Sequence, residues 1–215
     1  MWAFLCLDTS ELLQHVIDGS TKSKVYELNT QNQRLTMSRL DFLSAFAVQG
    51  KHYSAHDEID KALDHPDDAV RQNAINHPDA TKENLDKASR DESRYVRISA
   101  ADHKNATKEH LDKAIHDNDW RVRESAASNP NATAAHIDNA LDDDNRYVRG
   151  AAARNTSASK EHLDRALNDH DWLVRYAAAK NPNATKEHLD KALSDDEWNV
   201  RDIAKINPNY KKYFQ

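Results

Sequence analysis

The chain has 215 residues, of which 31% are charged, and a formal net charge of −6. Three glycines and five prolines are too few for a collagen-like, low-complexity or turn-rich β architecture. The two signs of charge are interspersed and form no basic stripe, so the composition disfavours non-specific binding to nucleic acids.

The amino-terminal residues contain the only cysteine, Cys6, so neither an internal disulfide nor a cysteine metal cluster can form within this chain. The apolar residues 2–7 are too few to span a bilayer, and they lack the basic flank of a signal peptide. We therefore expect a cytoplasmic protein without a membrane-spanning segment.

Residues 1–54 are predicted to form a mostly helical segment that caps the first of the repeats described next. Apolar positions within residues 12–17 and 40–48 have helical spacing and indicate two helices. Residues 24–36 between them fit either a short strand or a loop, and Val25-Tyr26 is too short a pattern to decide.

From residue 55 onward the dipeptide Val-Arg recurs every 26 residues. It occurs six times and divides the chain into the units 55–80, 81–106, 107–132, 133–158, 159–184 and 185–210. Self-similarity at a fixed short period is typical of a solenoid, in which each unit packs only against its neighbours. Residues 211–215 form a tail, and we expect Tyr210, Tyr213 and Phe214 to cover the last unit.

Each unit has the pattern of two helices. In the last unit, Thr185 is placed to cap a first helix of about ten residues whose buried face carries Leu189 and Ala192. A second, shorter helix buries Val200 and Ala204, and in the other units a turn such as Asn181-Pro182-Asn183 ends it. Both alanine positions recur in every unit, because small side chains let helices pack closely.

An aspartate precedes the Val-Arg arginine by six residues in five units: Asp91–Arg97, Asp117–Arg123, Asp143–Arg149, Asp169–Arg175 and Asp195–Arg201. Because an arginine fork can bond carboxylate and carbonyl acceptors together, we expect structural arginines that are each neutralised by their own aspartate. The other interpretation, a row of phosphate-binding arginines, is weaker for the same reason. The first unit departs from the pattern, with His65 before Arg71.

The Asp, Val-Arg and paired-alanine pattern of the second helix resembles the HEAT repeat. The 26-residue unit with its Asn-Pro turn is similar to a short relative of that repeat, the leucine-rich repeat variant. The resemblance covers residues 55–210 and implies an all-α fold, a right-handed α-solenoid with the second helices on the concave side. It implies no cofactor, since the cysteine cluster of the iron–sulfur form of the variant repeat is absent.

A position that contacts a partner can carry a different residue in each unit, whereas a position that holds the fold repeats. The positions that differ between units lie next to Val-Arg on the second helix. They are rich in Trp, Tyr and Arg, which are enriched at interface hot spots. We predict a partner-binding face formed by Arg94, Tyr95, Trp120, Arg121, Arg146, Tyr147, Trp172, Tyr176 and Trp198. Because a tryptophan at a helix start often covers the neighbouring repeat, packing is the alternative for the three tryptophans, and the tyrosines are better contact candidates.

One helical turn further on, a second variable column is expected on the same face: Gln72, Ile98, Glu124, Gly150, Tyr176 and Asp202. A column of histidines, in contrast, is regular and occupies one position of four first helices: His110, His136, His162 and His188. Repeats stack about 10 Å apart, whereas each ligand of a zinc ion lies about 2 Å from it. We therefore predict no metal along this row and expect solvent-exposed imidazoles.

The sequence has no phosphate-binding glycine loop, nucleophile elbow or His-Glu-x-x-His motif. We predict a non-enzymatic scaffold, without catalytic residues, metal or cofactor, that binds another protein along its second-helix face. Because some HEAT-like solenoids bind duplex DNA and a few remove damaged bases, a nucleic-acid-binding, repair-related protein is the alternative. Its phosphate contacts would be Arg94, Arg121, Arg146, Arg154 and Lys180, although the seven acidic residues of the first unit argue against it.

Overall fold

The fold is described from a computed structural model. The structure describes residues 26–30, 33–37 and 55–214, which belong to two compact units, residues 1–59 and 60–215. The helices predicted within residues 12–17 and 40–48, and the capping role of residues 1–54, lie outside the described residues.

In the first unit, residues 26–37 contribute an antiparallel β-hairpin. Strand β1, Tyr26–Thr30, pairs with strand β2, Gln33–Met37. The register opposes Leu28 to Leu35, so that alternating apolar positions of the two strands coincide. Of the two possibilities left open for this segment, strand and loop, the structure has the strand.

Residues 55–214 form thirteen helices. The first helices of the six repeats are α1 (Ala55–Ala62), α3 (Lys82–Ala88), α5 (Lys108–Ala114), α7 (Ala134–Leu141), α9 (Lys160–Ala166) and α11 (Lys186–Leu193). The second helices are α2 (Asp68–Ile75), α4 (Arg94–Asp102), α6 (Trp120–Ser128), α8 (Arg146–Arg154), α10 (Trp172–Lys180) and α12 (Trp198–Lys205), and α13 (Tyr210–Phe214) follows. The two-helix repeat is confirmed.

The helix lengths differ from the prediction. From the second repeat on, the first helices have seven or eight residues and the second helices eight or nine. The first helices are shorter than expected because their last turn tightens: the amide of Ser194 donates to the carbonyl of Lys191, and that of Asp195 to Ala192. The chain can then enter the next helix directly.

The core of the second unit is a regular stack of apolar side chains. One leucine or isoleucine from each first helix is fully buried, as at Leu111 and Ile137. In α4, α6, α8 and α10 one valine and two or three alanines are buried with it, as at Val148 and residues 151–153, whereas α2 and α12 each bury one alanine. Each helix contacts its sequential neighbours, which confirms the all-α solenoid, and Tyr213 and Phe214 lie half-buried against the same core.

The second helices of consecutive repeats approach one another more closely than the first helices do. The alanines allow this, because a methyl side chain keeps neighbouring helix axes near the lower end of their usual separation. None of the described helices has the length and apolarity needed to cross a bilayer.

Candidate functional site

The arginine of each Val-Arg pair lies in the junction between two repeats. Arg123 donates through Nε and Nη2 to the two carboxylate oxygens of Asp143, at 2.6 and 3.0 Å, and through Nη1 to the carbonyl oxygen of Asp117 at 2.9 Å. The expected side-chain pairing of Arg123 with Asp117 is therefore wrong, because the carboxylate partner comes from the next repeat. The carboxylate of Asp117 instead binds Arg97 of the previous repeat and the amide of Asp119.

The same cross-repeat geometry recurs at the other junctions, in the pairs Arg71–Asp91, Arg97–Asp117, Arg149–Asp169 and Arg175–Asp195. Arg71, which seemed exceptional because His65 precedes it, follows the rule, since the carbonyl of His65 accepts its Nη1. Burial raises the pKa of Asp143, but the hydrogen bonds from Arg123 and the Asn145 amide outweigh it and hold the pKa below its usual value. We call these five the frame arginines, and their structural role is confirmed.

The histidine row is buried, so the expectation of solvent-exposed imidazoles is wrong. His110, His136 and His188 are 1% exposed. Nδ1 of His136 accepts the amide hydrogen of Thr133 at 2.9 Å, and Nε2 lies 2.9 Å from Oδ1 of Asp112 in the previous repeat. The imidazole thus completes a capping box and links two repeats. The signal in the sequence was Asn84, a usual cap-forming residue, at the same position of the second repeat.

Asparagines in the turns that follow the second helices form another series of links, which the sequence pattern does not show. Nδ2 of Asn155 donates to the carbonyl oxygens of Ala127 and Asn129 in the previous turn, at 2.8 and 3.0 Å. The buried residues Asn129, Asn181 and Asn207 repeat this arrangement. The recurrence of Asn at one position is the available signal, but in the sequence it indicates a helix stop equally well.

Among the described residues, no three His, Cys, Asp or Glu side chains are grouped so that they could hold a metal ion. Nδ1 of each histidine in the row accepts a backbone amide hydrogen, as in His110 and His162, so that this nitrogen is not available to a metal. Chemically, these junction groups are therefore mostly bonded to one another, and Nε2 of His110 is the buried exception among the described residues.

A different set of side chains lies at the amino-terminal ends of the second helices. We define the rim as the first two residues of α4, α6, α8, α10 and α12: Arg94, Tyr95, Trp120, Arg121, Arg146, Tyr147, Trp172, Leu173, Trp198 and Asn199. The buried valine follows directly, so these two positions precede the part of the helix that enters the core. Trp198 is 60% exposed, and Tyr95, Tyr147 and Trp172 are exposed large side chains as well.

Rings and guanidinium groups of the rim are stacked in a continuous series between the third and fourth repeats. The guanidinium of Arg121 lies 4.4 Å from the ring centroid of Trp120, which stacks on Tyr147 at 5.2 Å with 24° between the planes. Arg146 lies 5.1 Å from the centroid of Tyr147. Arg94 covers Tyr95 in the same way, at 4.9 Å. Cation–π contact fixes these arginines in place without burying their charge.

The tryptophans do not behave as one class. Trp120 is half-buried and packs against the core, as the packing alternative expected, whereas the high exposure of Trp172 and Trp198 does not fit that alternative. Tyr176, expected as a contact residue, is half-buried and meets Trp172 edge to face at 6.4 Å. All the predicted site residues except Tyr176 occupy equivalent positions at the amino-terminal ends of the second helices, where Trp120 is half-buried and stacks on Tyr147.

Most of the second variable column does not lie on an exposed face. Ile98, Glu124 and Tyr176 are half-buried and Gly150 is buried, so the expected position is wrong for them. A Cβ on Gly150 would meet Cδ2 of Leu173, in the next repeat, at 3.0 Å. Burial raises the pKa of Glu124, although the charges of Arg154 and Arg121 oppose it. This column varies because neighbouring repeats fit each other differently, which sequence variation alone cannot distinguish from partner contact.

The rim arginines are held loosely in comparison with the frame arginines. Nη1 of Arg94 is 3.4 Å from Asp119, Nη1 of Arg146 is 3.4 Å from Asp171, and Nη1 of Arg121 is 3.8 Å from Asp119. All three side chains are exposed. Nη2 of Arg94 and of Arg146 also donates to the neutral hydroxyl of the adjacent tyrosine, Tyr95 or Tyr147, at 3.0 and 3.3 Å. Because a guanidinium group has five N–H donors and these carboxylate contacts are long, the three arginines keep donors for a further anionic partner.

No family model and no curated protein sequence matches the chain. A solved structure described as a leucine-rich repeat variant with a novel repetitive protein structural motif is similar, with a TM-score of 0.57 and 19% sequence identity. The match covers 94% of this chain and 88% of that chain. At this identity the likeness shows the fold alone: the chain is a helical repeat protein with the architecture of a leucine-rich repeat variant, as predicted.

Proposed function

We propose that the protein is a non-enzymatic scaffold that binds another protein through the rim and the adjoining second-helix surface. One observation carries this proposal. The polar residues that recur in every repeat bond to one another in the junctions, whereas exposed Trp, Tyr and Arg side chains lie on the rim. These three residue types dominate the binding energy of protein interfaces. An exposed aromatic surface of this kind is the usual mark of an interaction site in a folded chain.

The close approach of the second helices supports placing the site on the concave side. In a curved stack the elements nearer to each other lie on the inner side, and here these are the second helices. A concave surface also lets several repeats contact one partner at once, which is how solenoids are commonly used.

The roles of the titratable residues support a non-catalytic function. The four imidazoles of the histidine row are buried and bonded at Nδ1 to backbone amides, so they are not accessible to a substrate. The frame aspartates are engaged by arginines in the same way. We keep the cytoplasmic location as part of the proposal, on the strength of the single cysteine, Cys6.

The proposal is tested by affinity capture and mass spectrometry with a variant that combines Tyr95→Ser, Tyr147→Ser and Trp198→Ser. We expect unchanged helicity and the loss of specifically captured proteins. Tyr176 is left intact because it packs against the core. A matched control combines Lys108→Ser, Lys160→Ser and Lys186→Ser, all exposed on first helices. Capture that survives in the rim variant, or is lost equally in the control, would contradict the proposed surface.

The alternative is nucleic-acid binding, and the exposed rim arginines beside aromatic rings are the observation in its favour. The carboxylates of Asp119 and Asp171 next to those arginines oppose it. Gel shifts with duplex DNA and RNA at increasing salt concentration separate the two functions. Micromolar binding at physiological salt would place nucleic acid above protein as the partner.

A further inference from the structure

The chemistry of the rim changes along the array. The equivalent position in the first repeat is the acidic Asp68, the second to fourth repeats present Arg94, Arg121 and Arg146, and the fifth repeat presents only the apolar pair Trp172-Leu173. This order continues across junctions, since Arg94 reaches Asp119 of the third repeat and Trp120 stacks on Tyr147 of the fourth. The rim is therefore one surface with a direction.

The spacing of the rim fits an extended peptide chain. Neighbouring helices in a stack lie about 8–10 Å apart, and a peptide in the polyproline II conformation advances about 3.1 Å for each residue, with three residues per turn. One repeat thus corresponds to about three residues, or one turn, of such a peptide running along the rim. Side chains at every third residue of this peptide point to the same side and would each meet the rim of a successive repeat.

We propose that the rim binds an extended acidic peptide in a fixed register, with carboxylates opposite Arg94, Arg121 and Arg146 and an apolar side chain on Trp172. This inference rests on the proposed function and names the chemical class of its partner. The expected pattern is an acidic residue at every third position of the peptide, followed at the same interval by an apolar residue.

The charge of the rim selects a carboxylate partner over a cation. The two aspartates that cap rim helices, Asp119 and Asp171, are mostly buried, and each accepts a backbone amide of the helix that it caps as well as a rim arginine. They have little capacity left for an incoming amine. The arginines, in contrast, are half-exposed, their carboxylate contacts are long, and their shorter bonds in Arg94 and Arg146 go to a neutral tyrosine hydroxyl, so N–H donors of this surface stay available.

The same two aspartates favour a peptide over a nucleic-acid strand. A phosphate backbone carries charge at every nucleotide and would bring phosphates close to Asp119 and Asp171. A peptide can place neutral residues there and acidic residues only opposite the arginines. The stacking of Arg121 on Trp120 also fixes the guanidinium before binding, which lowers the entropy lost when a carboxylate pairs with it.

The experiment uses the full chain and two labelled peptides of identical composition, measured by fluorescence anisotropy. The first has aspartate at every third position, with serines between and leucine at the next third position. The second has its aspartates adjacent. We expect the spaced peptide to bind about tenfold more tightly, because only it can engage all three arginines. Equal affinities of the two peptides would overturn the inference.

Two variants locate the binding. Arg121→Ala should weaken binding of the spaced peptide about tenfold, the loss typical of one charge-assisted contact. Arg165→Ala is the matched control, since Arg165 lies on a first helix with its side chain 42% exposed, against 44% for Arg121. Equal losses in both variants, or stronger competition by a single-stranded oligothymidine than by unlabelled peptide, would contradict the assignment.

The outcome is separable from that of the proposed function. If the Tyr95, Tyr147 and Trp198 variant loses its captured proteins but the two peptides bind equally, the scaffold function stands and the acidic register is wrong. If that variant keeps its captured proteins, the scaffold function through this surface fails first. Restoration of peptide affinity by Arg121→Lys, relative to Arg121→Ala, would assign the effect to charge rather than to the stacked ring.

Discussion

Arg121 and Arg123 lie two residues apart on α6 and have different roles. Arg123 binds the carboxylate of Asp143 and a carbonyl of its own repeat, and it joins two repeats. Arg121 lies exposed over Trp120, with its nearest carboxylate contact at 3.8 Å. The frame arginine recurs in the first five repeats, and Arg201 takes the same position in the last, whereas the rim position changes between repeats. Residue type therefore says little here, and the regularity of a position separates structure from recognition.

The largest effect is expected when a frame arginine is compared with a rim arginine on the same helix. Arg149→Ala leaves the carboxylate of Asp169 buried without its partner, which costs about 3 kcal/mol in the free energy of unfolding. Arg146→Ala, three residues earlier and 49% exposed, should change it by less than about 0.5 kcal/mol. Urea unfolding followed by circular dichroism measures both variants.

The loss in Arg149→Ala should be local, because each repeat of the array contacts only its neighbours. We expect the unfolding transition to broaden or to split, with the two sides of the broken junction no longer unfolding together. Trp120 and Trp198 lie on opposite sides of this junction, and their fluorescence can be separated in single-tryptophan variants. Equal destabilisation by Arg149→Ala and Arg146→Ala would mean that the division into frame and rim is wrong.

The buried histidines belong to the frame, and a substitution already present in the chain tests their role. His136→Ala removes the acceptor for the Thr133 amide and the contact with Asp112, and we expect a cost of about 2 kcal/mol. His136→Asn should recover most of this loss. In the second repeat, Asn84 accepts the Thr81 amide at 2.9 Å and donates to Asp60, so asparagine can make both bonds. Equal destabilisation by alanine and asparagine would show that the packing of the imidazole ring, and not its hydrogen bonds, accounts for the loss of stability.

The partner of a frame arginine could not be derived from the sequence, for a reason that applies to repeats in general. The aspartate six residues before Arg123 and the one 20 residues after it are separated by one repeat, so they occupy the same register. Periodicity cannot distinguish them. The partner is the carboxylate that the arginine side chain can reach across the junction, and only the three-dimensional stack shows which one that is. The burial of the histidines is hidden in the sequence similarly, because the carboxylate that each imidazole approaches, such as Asp112 for His136, lies in the previous repeat.

The apolar frame was predictable because burial in a solenoid repeats with the sequence. Val148 and Ala152 are buried in every equivalent position from the second repeat on, and a helical pattern is enough to show it. On the rim, the sequence identifies the residue types, but it does not show how exposed each side chain is. Trp120 and Trp172 share one register position, yet only Trp120 has a tyrosine of the next repeat to stack on. Exposure there depends on the neighbour, not on the residue itself.

Lowering the pH should destabilise the junctions between repeats through His110 before it affects the side chains of the rim. Burial, helped by the charges of Lys113 and Lys82, lowers the pKa of His110, while Asp86 and Glu109 act in the opposite direction. The unfolded chain therefore takes up a proton at His110 at a pH where the folded chain does not. Stability should be constant above the ordinary pKa of 6.5 and fall as the pH drops below it.

The slope of this loss is at most about 1.4 kcal/mol per pH unit for one group. Urea midpoints measured on both sides of pH 6.5 give the slope, and His110→Asn is the control because it cannot titrate. The variant should reduce the slope, whereas Arg146→Ala should leave it unchanged. An identical slope in His110→Asn would show that the acid sensitivity comes from other groups.

The smallest effect concerns the one junction where the frame is incomplete. Ser89 occupies the position of a buried leucine or isoleucine such as Leu63 or Ile115, and a cavity of about 20 Å³ lies beside it. Nε2 of His110 lines this cavity and is buried without a hydrogen-bond partner in the described part of the chain. Its distance from Asp86 is 3.4 Å, whereas the equivalent distance from His136 to Asp112 is 2.9 Å.

Ser89→Leu should therefore fill the cavity and raise the free energy of unfolding by about 1 kcal/mol. If leucine also restores the usual approach of the two repeats, His110 and Asp86 should then form the bond that the other junctions have. Urea unfolding measures the gain, and Ser194→Leu, at an exposed position just beyond a first helix, is the control for added apolar surface. A loss of stability in Ser89→Leu would mean that the cavity holds a water molecule on His110, which leucine displaces. The junction between the second and third repeats would then depend on a polar contact with water. The regularity of a position would no longer be enough to identify a structural role.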